Sequence, residues 1–201
     1  MATSNASHLS QTNEWATPSE YLEAVRSVLG VIELDPCAGD EANKAHVGAL
    51  TAYDIHDDGL SRDWKGRVFL NPPYSKGLAK LFTDKLITHY RSGDIPEAIA
   101  LLSLSHMSTK WFQPVYQNVA SLCIPRKRIT FIPMTRQKDS KSPAAGSVFL
   151  YFGSNQLSFS ARFAQHGPIL QVTRALTPLE ADTIQHNNET GNASPKAQAE
   201  E

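Results

Sequence analysis

The chain has 201 residues, which suits one domain with a sizeable hydrophobic core and leaves little room for two. Its formal net charge of −1 excludes a polycationic protein, so binding to a phosphate backbone would need a local basic patch. No apolar run approaches the roughly 20 residues that span a bilayer. The N-terminus has neither the basic stretch nor the apolar segment of a signal peptide, so we expect a cytoplasmic protein.

The ends of the chain differ in composition from its middle. Residues 1–13 and 178–201 are polar and poor in hydrophobic side chains, which predicts a disordered N-terminal arm and a disordered C-terminal tail. The compact domain is therefore expected over residues 14–177. The few cysteine and histidine residues have neither disulfide-framework nor zinc-ligand spacing, so we expect no metal.

The predicted elements begin with a helix and a strand. Thr17-Pro18-Ser19-Glu20 has the pattern of a capping box with Thr17 as N-cap, and Gly30 predicts the end of this helix. A β-prone run over 31–34 follows. Farther along, strands are predicted at 67–70, 98–102, 119–124, 128–132 and 147–152, and helices at 78–90 and 108–118. This alternation favours an α/β fold with a mostly parallel sheet and helices on both faces.

The run Asn71-Pro72-Pro73-Tyr74 directly follows the predicted strand 67–70, and parallel sheets bind ligands where their strands end. It suits methylation of an amino group on a planar ring, because the Asn71 side-chain carbonyl and the Pro72 backbone carbonyl can accept both amino hydrogens. The prolines fix the backbone, and Tyr74 offers a face for stacking an extruded base. The alternative interpretation is a simple turn, because prolines end a β-ladder.

A second polar cluster, Asp35-Pro36-Cys37-Ala38-Gly39, follows the predicted strand 31–34. Gly39 permits close approach of the backbone to a ligand, and Asp35 can face a positive ammonium group. Alone, this cluster is also explained by an Asp-Pro turn. Two such clusters at the ends of two predicted strands favour a ligand site.

Five features occur in a specific order and spacing, namely Trp15-Ala16-Thr17-Pro18, Glu33 to Ala38, Asp58-Gly59-Leu60, Trp64 and Asn71 to Tyr74. Together they resemble the phage-type DNA N-6-adenine methyltransferase (Dam) family, from about Trp15 to Phe152. The resemblance implies a compact Rossmann-like methyltransferase domain with S-adenosylmethionine (AdoMet) as methyl donor. It also implies methylation of adenine N6 in double-stranded DNA at a short recognition sequence, usually in a phage or prophage setting.

The resemblance assigns the catalytic target-base site to Asn71, Pro72, Pro73 and Tyr74. It assigns the cofactor site to Trp15, Thr17, Asp35, Pro36, Cys37, Ala38, Gly39, Asp54 and Asp58. Within this set we expect Asp54 at the ribose and Asp58 at the adenine end, with Asp57 as the alternative acidic group. The glycine-rich F-x-G-x-G loop of larger methyltransferases is absent, and only Gly39 is retained.

Basic residues beside two predicted loops are candidates for contacts with DNA phosphates, although such groups are often only solvated. They are Arg126, Lys127, Arg128, Arg136, Lys138 and Lys141. The pair Trp111-Phe112 is interpreted as part of the core or of an interface, in preference to a base-stacking platform. We expect a monomer or a weak dimer.

Other activities stay open at this point. The same four-residue motif serves methylation of cytosine N4, of guanine N2 in RNA and of protein glutamine. The chain has no added RNA-binding or peptide-binding domain, which argues against the last two. A non-catalytic DNA-binding decoy with a degenerate methylase fold is a further alternative. The intact Asn71 and Tyr74 count against it, because a decoy does not need them.

Overall fold

The computed structural model describes residues 15–74, 77–133 and 145–173, so the predicted arm and tail lie outside the described residues. Short 3-10 turns at Leu104–His106 and Lys110–Phe112 accompany the regular elements. In chain order these elements are β1 Trp15–Ala16, α1 Ser19–Leu29, β2 Leu34–Asp35, α2 Glu41–Val47, β3 Thr51–Ala52, β4 Val68–Leu70, α3 Leu78–Ser92, β5 Ala98–Ser103, α4 Gln113–Tyr116, β6 Ser121–Cys123, β7 Ile132–Pro133, β8 Ser147–Phe152, α5 Gln156–Phe163 and β9 Ile169–Gln171.

Seven strands form the main sheet in the order β3-β2-β4-β5-β8-β6-β9, and β1 pairs with β7 in a separate two-stranded ribbon. The strands β3, β2, β4 and β5 are parallel, whereas β8 is antiparallel to both of its neighbours and β9 is antiparallel to β6. The predicted Rossmann-like α/β fold is confirmed, with parallel pairing concentrated in one half of the sheet. Hydrophobic patterns show that a strand exists but not which way it runs, so the sequence does not distinguish the two halves.

Helices cover both faces of the sheet, as predicted. On β5, Ile99 and Leu101 belong to the core shared with α1 and α5, whereas Ala98, Ala100 and Leu102 belong to the core shared with α3 and α4. This alternation follows from the two-residue period of a strand. Because both faces are covered, β5 and β8 are buried at every position and appear in the sequence as continuous apolar runs.

The helix signals in the sequence are partly confirmed. Helix α1 ends at Gly30, whose φ is +73° and whose amide donates to the Arg26 carbonyl at 2.7 Å, as the glycine predicts. Its predicted cap is wrong: the N-cap is Pro18, with no side-chain capping bond. The Pro18 carbonyl accepts from the amides of Tyr21 and Leu22, while the Thr17 side chain lies in a different contact, described below.

Two helices are absent from the sequence-based prediction. Helix α2 buries only Val47 and is delimited by Asp40, whose side chain accepts the Asn43 amide, and by Gly48 in the left-handed conformation. An apolar stripe is the signal that periodicity detects, and α2 lacks one. Helix α5 buries Phe159 and Phe163 one turn apart but exposes Leu157, which weakens its pattern. No helix in the described ranges is both long and apolar enough to cross a membrane.

Candidate active site

Three neighbouring parallel strands end side by side at one edge of the sheet. Strand β2 lies between β3 and β4, with Leu34 opposite both Thr51 and Val68. Asp54 follows β3, Asp35 ends β2 and Asn71 follows β4. Parallel strands place their carboxyl ends together, so the two clusters that are separate in the sequence lie next to each other in space. The predicted convergence of these clusters on one edge is therefore observed.

The Asn71 side chain is held by a residue far away in the sequence. Its amide Nδ2 donates to the Thr17 Oγ1 at 3.3 Å, and the carbonyl Oδ1 is not used in this bond. Pro72, the next residue, is buried, whereas Pro73 is partly exposed. The first residue of the motif thus has the nitrogen end of its side-chain amide held by Thr17 and its carbonyl available to accept a hydrogen bond.

Tyr74 presents a ring at the surface and turns its hydroxyl inward. The residue is 36% exposed, while its hydroxyl donates to the Leu101 carbonyl at the long distance of 3.5 Å. Burial of this hydroxyl, with a smaller contribution from the nearby Cys37, raises the pKa of Tyr74, so it stays a neutral phenol. A neutral, partly exposed ring anchored at its hydroxyl end is suited to stacking and not to acid–base work.

Asp35 is a buried carboxyl group, 4% exposed, at the end of β2. Its Oδ1 accepts the Cys37 backbone amide at 3.2 Å. Burial raises the pKa of Asp35 to about 7, and the Cys37 amide opposes that rise only partly. No Lys or Arg of the described residues forms an ion pair with it. A cationic ligand beside Asp35 would favour its ionised form.

Cys37 lies where the two motifs meet. Burial and the neighbouring Asp35 raise the pKa of the Cys37 thiol well above its usual range, and a hydrogen bond from the Asn71 backbone amide opposes this only in part. A thiol with a raised pKa is a poor nucleophile. Cys37 therefore acts here as a small packing residue between Asp35 and Asn71.

The loop after β3 packs closely against the Asp35 cluster, Asp35 to Gly39. A Cβ built at Gly59 would lie 2.0 Å from the Pro36 carbonyl oxygen, so only glycine fits there. The Gly59 carbonyl accepts the indole N–H of the fully buried Trp64 at 2.8 Å. Asp58, next to it, is exposed and has a positive φ of 52°. The predicted motif Asp58-Gly59-Leu60 and Trp64 thus form the wall beside Pro36.

The Asp54 carboxylate already forms an ion pair and hydrogen bonds within the protein. It forms an ion pair with Lys44 at 2.7 Å, and its Oδ1 accepts the amides of His56 and Asp57 at 2.7 and 3.3 Å. The hydrogen bond from Lys44 is the main reason that the pKa of Asp54 is lowered. The carboxylate predicted at the ribose is therefore ionised and fixed in orientation, with Lys44, from the unpredicted helix α2, as its partner.

The N-terminal strand β1 leads into Thr17, which lies at the same edge. Strand β1 pairs antiparallel with β7, with Ala16 opposite Ile132. Thr17 is 1% exposed, and its carbonyl accepts from the His46 Nε2 at 2.7 Å. Trp15 packs on the core beside α1. Of the two predicted residues, Thr17 lies next to Asn71, and its observed side-chain contact is with Asn71 itself.

The basic segment Arg126-Lys127-Arg128 also lies at this edge. Strand β6 is antiparallel to β8, which is antiparallel to β5, so β6 ends on the same side as β5. All three side chains are exposed. Arg126 donates to the carbonyls of Ala164 and Gln165 after α5, whereas Lys127 and Arg128 have no ion pair with any residue in the described ranges. The predicted Arg136, Lys138 and Lys141 lie outside the described residues.

His106 is a residue of the site that sequence reasoning missed. It lies in the 3-10 turn after β5, with its ring 6.0 Å from the Tyr74 ring and 5.0 Å from the Trp111 ring. Its Nδ1 is buried without a hydrogen-bond partner among the described groups, and burial lowers the pKa of His106, which favours neutral imidazole. The available signal was its position four residues after the predicted strand 98–102. Phe112 is fully buried, as the core interpretation of Trp111-Phe112 predicts.

The described residues contain no cluster of three or more His, Cys, Asp or Glu side chains arranged to hold a metal ion. A depression of about 280 Å³ lies between the starts of β2 and β3 and the segment 63–65. Asp35, Asn71 and Tyr74 do not line it.

Known proteins similar to this chain were found in two of three comparisons. No protein of curated function matches the sequence. A crystal structure of the 23S rRNA methyltransferase ErmE resembles the fold with a TM-score of 0.42 and 10% identity, covering 90% of this chain and 80% of that one, a likeness too weak to support any argument. The model of the family described as DNA N-6-adenine-methyltransferase (Dam) matches residues 4–164, which include every element of the site. The chain therefore belongs to the DNA N-6-adenine-methyltransferase (Dam) family.

Proposed function

We propose that this protein transfers the methyl group of AdoMet to the N6 amino group of adenine in double-stranded DNA, at a short recognition sequence. The observation that carries the proposal is the position of Asn71-Pro72-Pro73-Tyr74 beside the buried Asp35 cluster, at the carboxyl edge of parallel strands. Family membership supports the same activity. We expect a phage or prophage as the source of the gene.

The target-base site consists of the four-residue motif. Adenine N6 is a weak nucleophile because its lone pair is delocalised into the ring. The Asn71 Oδ1 and the Pro72 carbonyl accept its two hydrogens and draw electron density onto nitrogen as it attacks. Bound AdoMet would supply the methyl group: the nitrogen–carbon bond would form as the carbon–sulfur bond breaks, with the bonding electrons going to sulfur, and one N6 proton would then be lost to solvent. Tyr74 supports the extruded ring, and His106 borders the same space.

The donor site is proposed around Asp35, with Pro36, Cys37, Ala38 and Gly39 lining it. AdoMet supplies an electrophilic methyl group on a sulfonium ion and carries a cationic amino group. The fit is electrostatic, because a buried carboxyl with a raised pKa and no cationic partner among the described residues is suited to a cationic ligand.

The outer part of the donor site is proposed at the loop after β3 and at β1. Asp54, fixed by Lys44, is proposed at the ribose, and the exposed Asp58 at the adenine end, while Trp15 closes the opposite side. Asp57 is the alternative acidic group, but its Oδ2 already accepts the Asp54 amide at 3.1 Å.

Duplex DNA is proposed to lie across the carboxyl edge of the sheet. Arg126, Lys127 and Arg128 are exposed on that edge, and Arg136, Lys138 and Lys141 precede β8 in the sequence. Contacts from these groups to phosphates would orient the duplex without reading its sequence.

The test is incubation of the purified protein with tritiated AdoMet and unmethylated duplex DNA, followed by analysis of the nucleosides. Label in N6-methyladenine supports the donor, the acceptor and the reaction together. Label in N4-methylcytosine keeps the mechanism but overturns adenine as the target. Bound AdoMet without labelled DNA points to an RNA or protein acceptor, and absence of both label and AdoMet binding contradicts the enzyme assignment and favours a DNA-binding decoy.

A further inference from the structure

We propose that Thr17 is a positioning residue that fixes the side-chain orientation of Asn71, and not a contact to AdoMet. This inference rests on the proposed role of Asn71 in accepting an amino hydrogen. It departs from the sequence-based expectation, in which Thr17 contacts the donor and caps α1.

The contact itself joins residues 54 positions apart. The Thr17 hydroxyl oxygen accepts the Asn71 Nδ2 at 3.3 Å. An asparagine amide has two nearly isosteric orientations, and only one of them points the carbonyl oxygen toward an amino group that must donate. Holding Nδ2 at Thr17 leaves Oδ1 as the group that can receive the N6 hydrogen. The contact therefore holds the Asn71 side chain, in the orientation observed, before substrate binds.

Thr17 is free for this role because α1 does not use its hydroxyl. The helix begins after Pro18 without a side-chain cap, and the Pro18 carbonyl receives the first helical amides. Thr17 is also 1% exposed, so its hydroxyl has little access to solvent. A buried hydroxyl needs a partner, and Asn71 supplies one.

The backbone of Thr17 is fixed from both sides. Before it, Ala16 pairs with Ile132 in the β1–β7 ribbon. Its own carbonyl accepts from the His46 Nε2 at 2.7 Å, and the carbonyls of His46 and Val47 accept from the Arg26 guanidinium at 2.7 and 3.1 Å. This network ties α1 and the end of α2 to Thr17, so the hydroxyl that meets Asn71 has a defined position.

The test compares Thr17→Val, which keeps the shape and removes the hydroxyl, with Thr17→Ser, which keeps the hydroxyl. Thr83→Val is the matched control, because Thr83 is equally buried but donates to the Ala79 carbonyl inside α3. Three quantities are measured on the full chain: kcat with tritiated AdoMet and duplex DNA, the AdoMet Kd by calorimetry, and the side-chain amide signal of Asn71 by ¹⁵N NMR. The amide signal is assigned to Asn71 because it should be absent from the spectrum of the Asn71→Asp variant.

For Thr17→Val we expect a displaced Asn71 amide signal and a kcat lowered about 10-fold to 100-fold, with the AdoMet Kd changed less than about two-fold. Thr17→Ser and Thr83→Val should resemble the wild type. An unchanged Asn71 signal and kcat in Thr17→Val would overturn the proposal. So would a rise in the AdoMet Kd at constant kcat, because that result identifies a donor contact.

Two further results differ from the outcomes given for Thr17→Val. Where Thr17→Val does not fold, Thr17→Ala gives the same comparison, because it also removes the hydroxyl and introduces no new atoms. A wild-type protein that forms no N6-methyladenine contradicts the proposed function, while the Asn71 amide signal still tests the contact with Thr17.

Discussion

The two halves of the main sheet are built differently. In the parallel half, β3, β2 and β4 are only two or three residues long, and polar residues lie at or shortly after their ends, among them the buried Asp35. In the antiparallel half, β8 is six residues long and buried throughout. Its face toward α5 carries a stack of aromatic rings, including Tyr151 on Phe159 and Phe159 on Phe163.

This difference separates the chemistry of the protein from most of its aromatic core. Short strands contribute little to the free energy of unfolding, and so does the buried Asp35 carboxyl, which has no ion-pair partner among the described residues. At neutral pH, Asp35 lowers the free energy of unfolding. The aromatic rings between β8 and α5 bury large apolar areas and stabilise the fold. Mutations of the aromatic rings between β8 and α5 should therefore change stability most, and mutations of the residues at the ends of β2 and β4 should change activity most.

The largest effect on stability is expected at Phe159. Its ring is fully buried, 5.0 Å from the Tyr151 ring and 4.5 Å from the Phe163 ring. Phe159→Ala should lower the free energy of unfolding by about 3–5 kcal/mol, measured by urea denaturation. Leu157→Ala on the same helix is the control, because Leu157 is 82% exposed and its loss should change stability by less than about 0.5 kcal/mol. Equal losses would mean that α5 does not pack as described.

The largest effect on activity is expected at Asn71. Asn71→Ala should lower kcat for methyl transfer about 10²-fold to 10³-fold, because the N6 hydrogen loses its acceptor in the transition state. Calorimetry should show AdoMet bound with nearly unchanged affinity, and thermal unfolding should show a folded protein. Parallel loss of AdoMet binding and folding would instead make Asn71 a structural residue.

The next effect is expected at Gly59, where the donor loop contacts Pro36. A methyl group there would lie 2.0 Å from the Pro36 carbonyl oxygen, so Gly59→Ala should destabilise the protein by about 1–3 kcal/mol and displace the Asp35 cluster. We expect AdoMet affinity to fall by about 10-fold or more, because the displaced cluster is the proposed donor site. Gly93→Ala is the control: Gly93 has a positive φ but open space around it, so only stability should fall.

A smaller effect concerns the pH dependence set by Asp35. The pKa of Asp35 in the folded state, about 7, exceeds its ordinary value of 3.8, so the folded state binds one more proton than the unfolded chain between these pH values. The contribution of Asp35 to stability is therefore greatest at low pH and is lost as pH rises toward 7. A cationic donor prefers the ionised form, so AdoMet should bind about 10-fold more tightly at pH 8 than at pH 6. In Asp35→Asn this difference should disappear; its persistence would assign the pH dependence to another group.

The smallest effect is expected at the basic segment Arg126-Lys127-Arg128, at the carboxyl edge of the main sheet. Replacing both Lys127 and Arg128 with alanine should weaken DNA binding and reduce the slope of log affinity against log salt by about 2, with kcat at saturating DNA unchanged. Fluorescence anisotropy with a labelled duplex measures both quantities. Lys80→Ala on α3 is the control, because Lys80 pairs with Asp84 on that helix. An unchanged salt slope in the double variant would exclude phosphate contacts from this segment.

The sequence predicted the elements with strong local signals. Strand 147–152 is observed at its predicted bounds, and Gly30 ends α1. Weak signals failed for identifiable reasons. Helix α2 has caps but no apolar stripe, and the capping-box pattern at Thr17 was overridden by a tertiary contact with Asn71. His106 was missed because a lone histidine after a strand carries no pattern of its own.

What the sequence determined by itself is the α/β class, the strand ends that bear Asp35 and Asn71, and the family resemblance, because these depend on residues close together in the chain. Only the tertiary structure decided the antiparallel half of the sheet, the partner of Asp54 and the contact between Thr17 and Asn71. Those features join residues on different elements. Local periodicity and propensity describe one element at a time, whereas the packing of several elements determines which side chains meet.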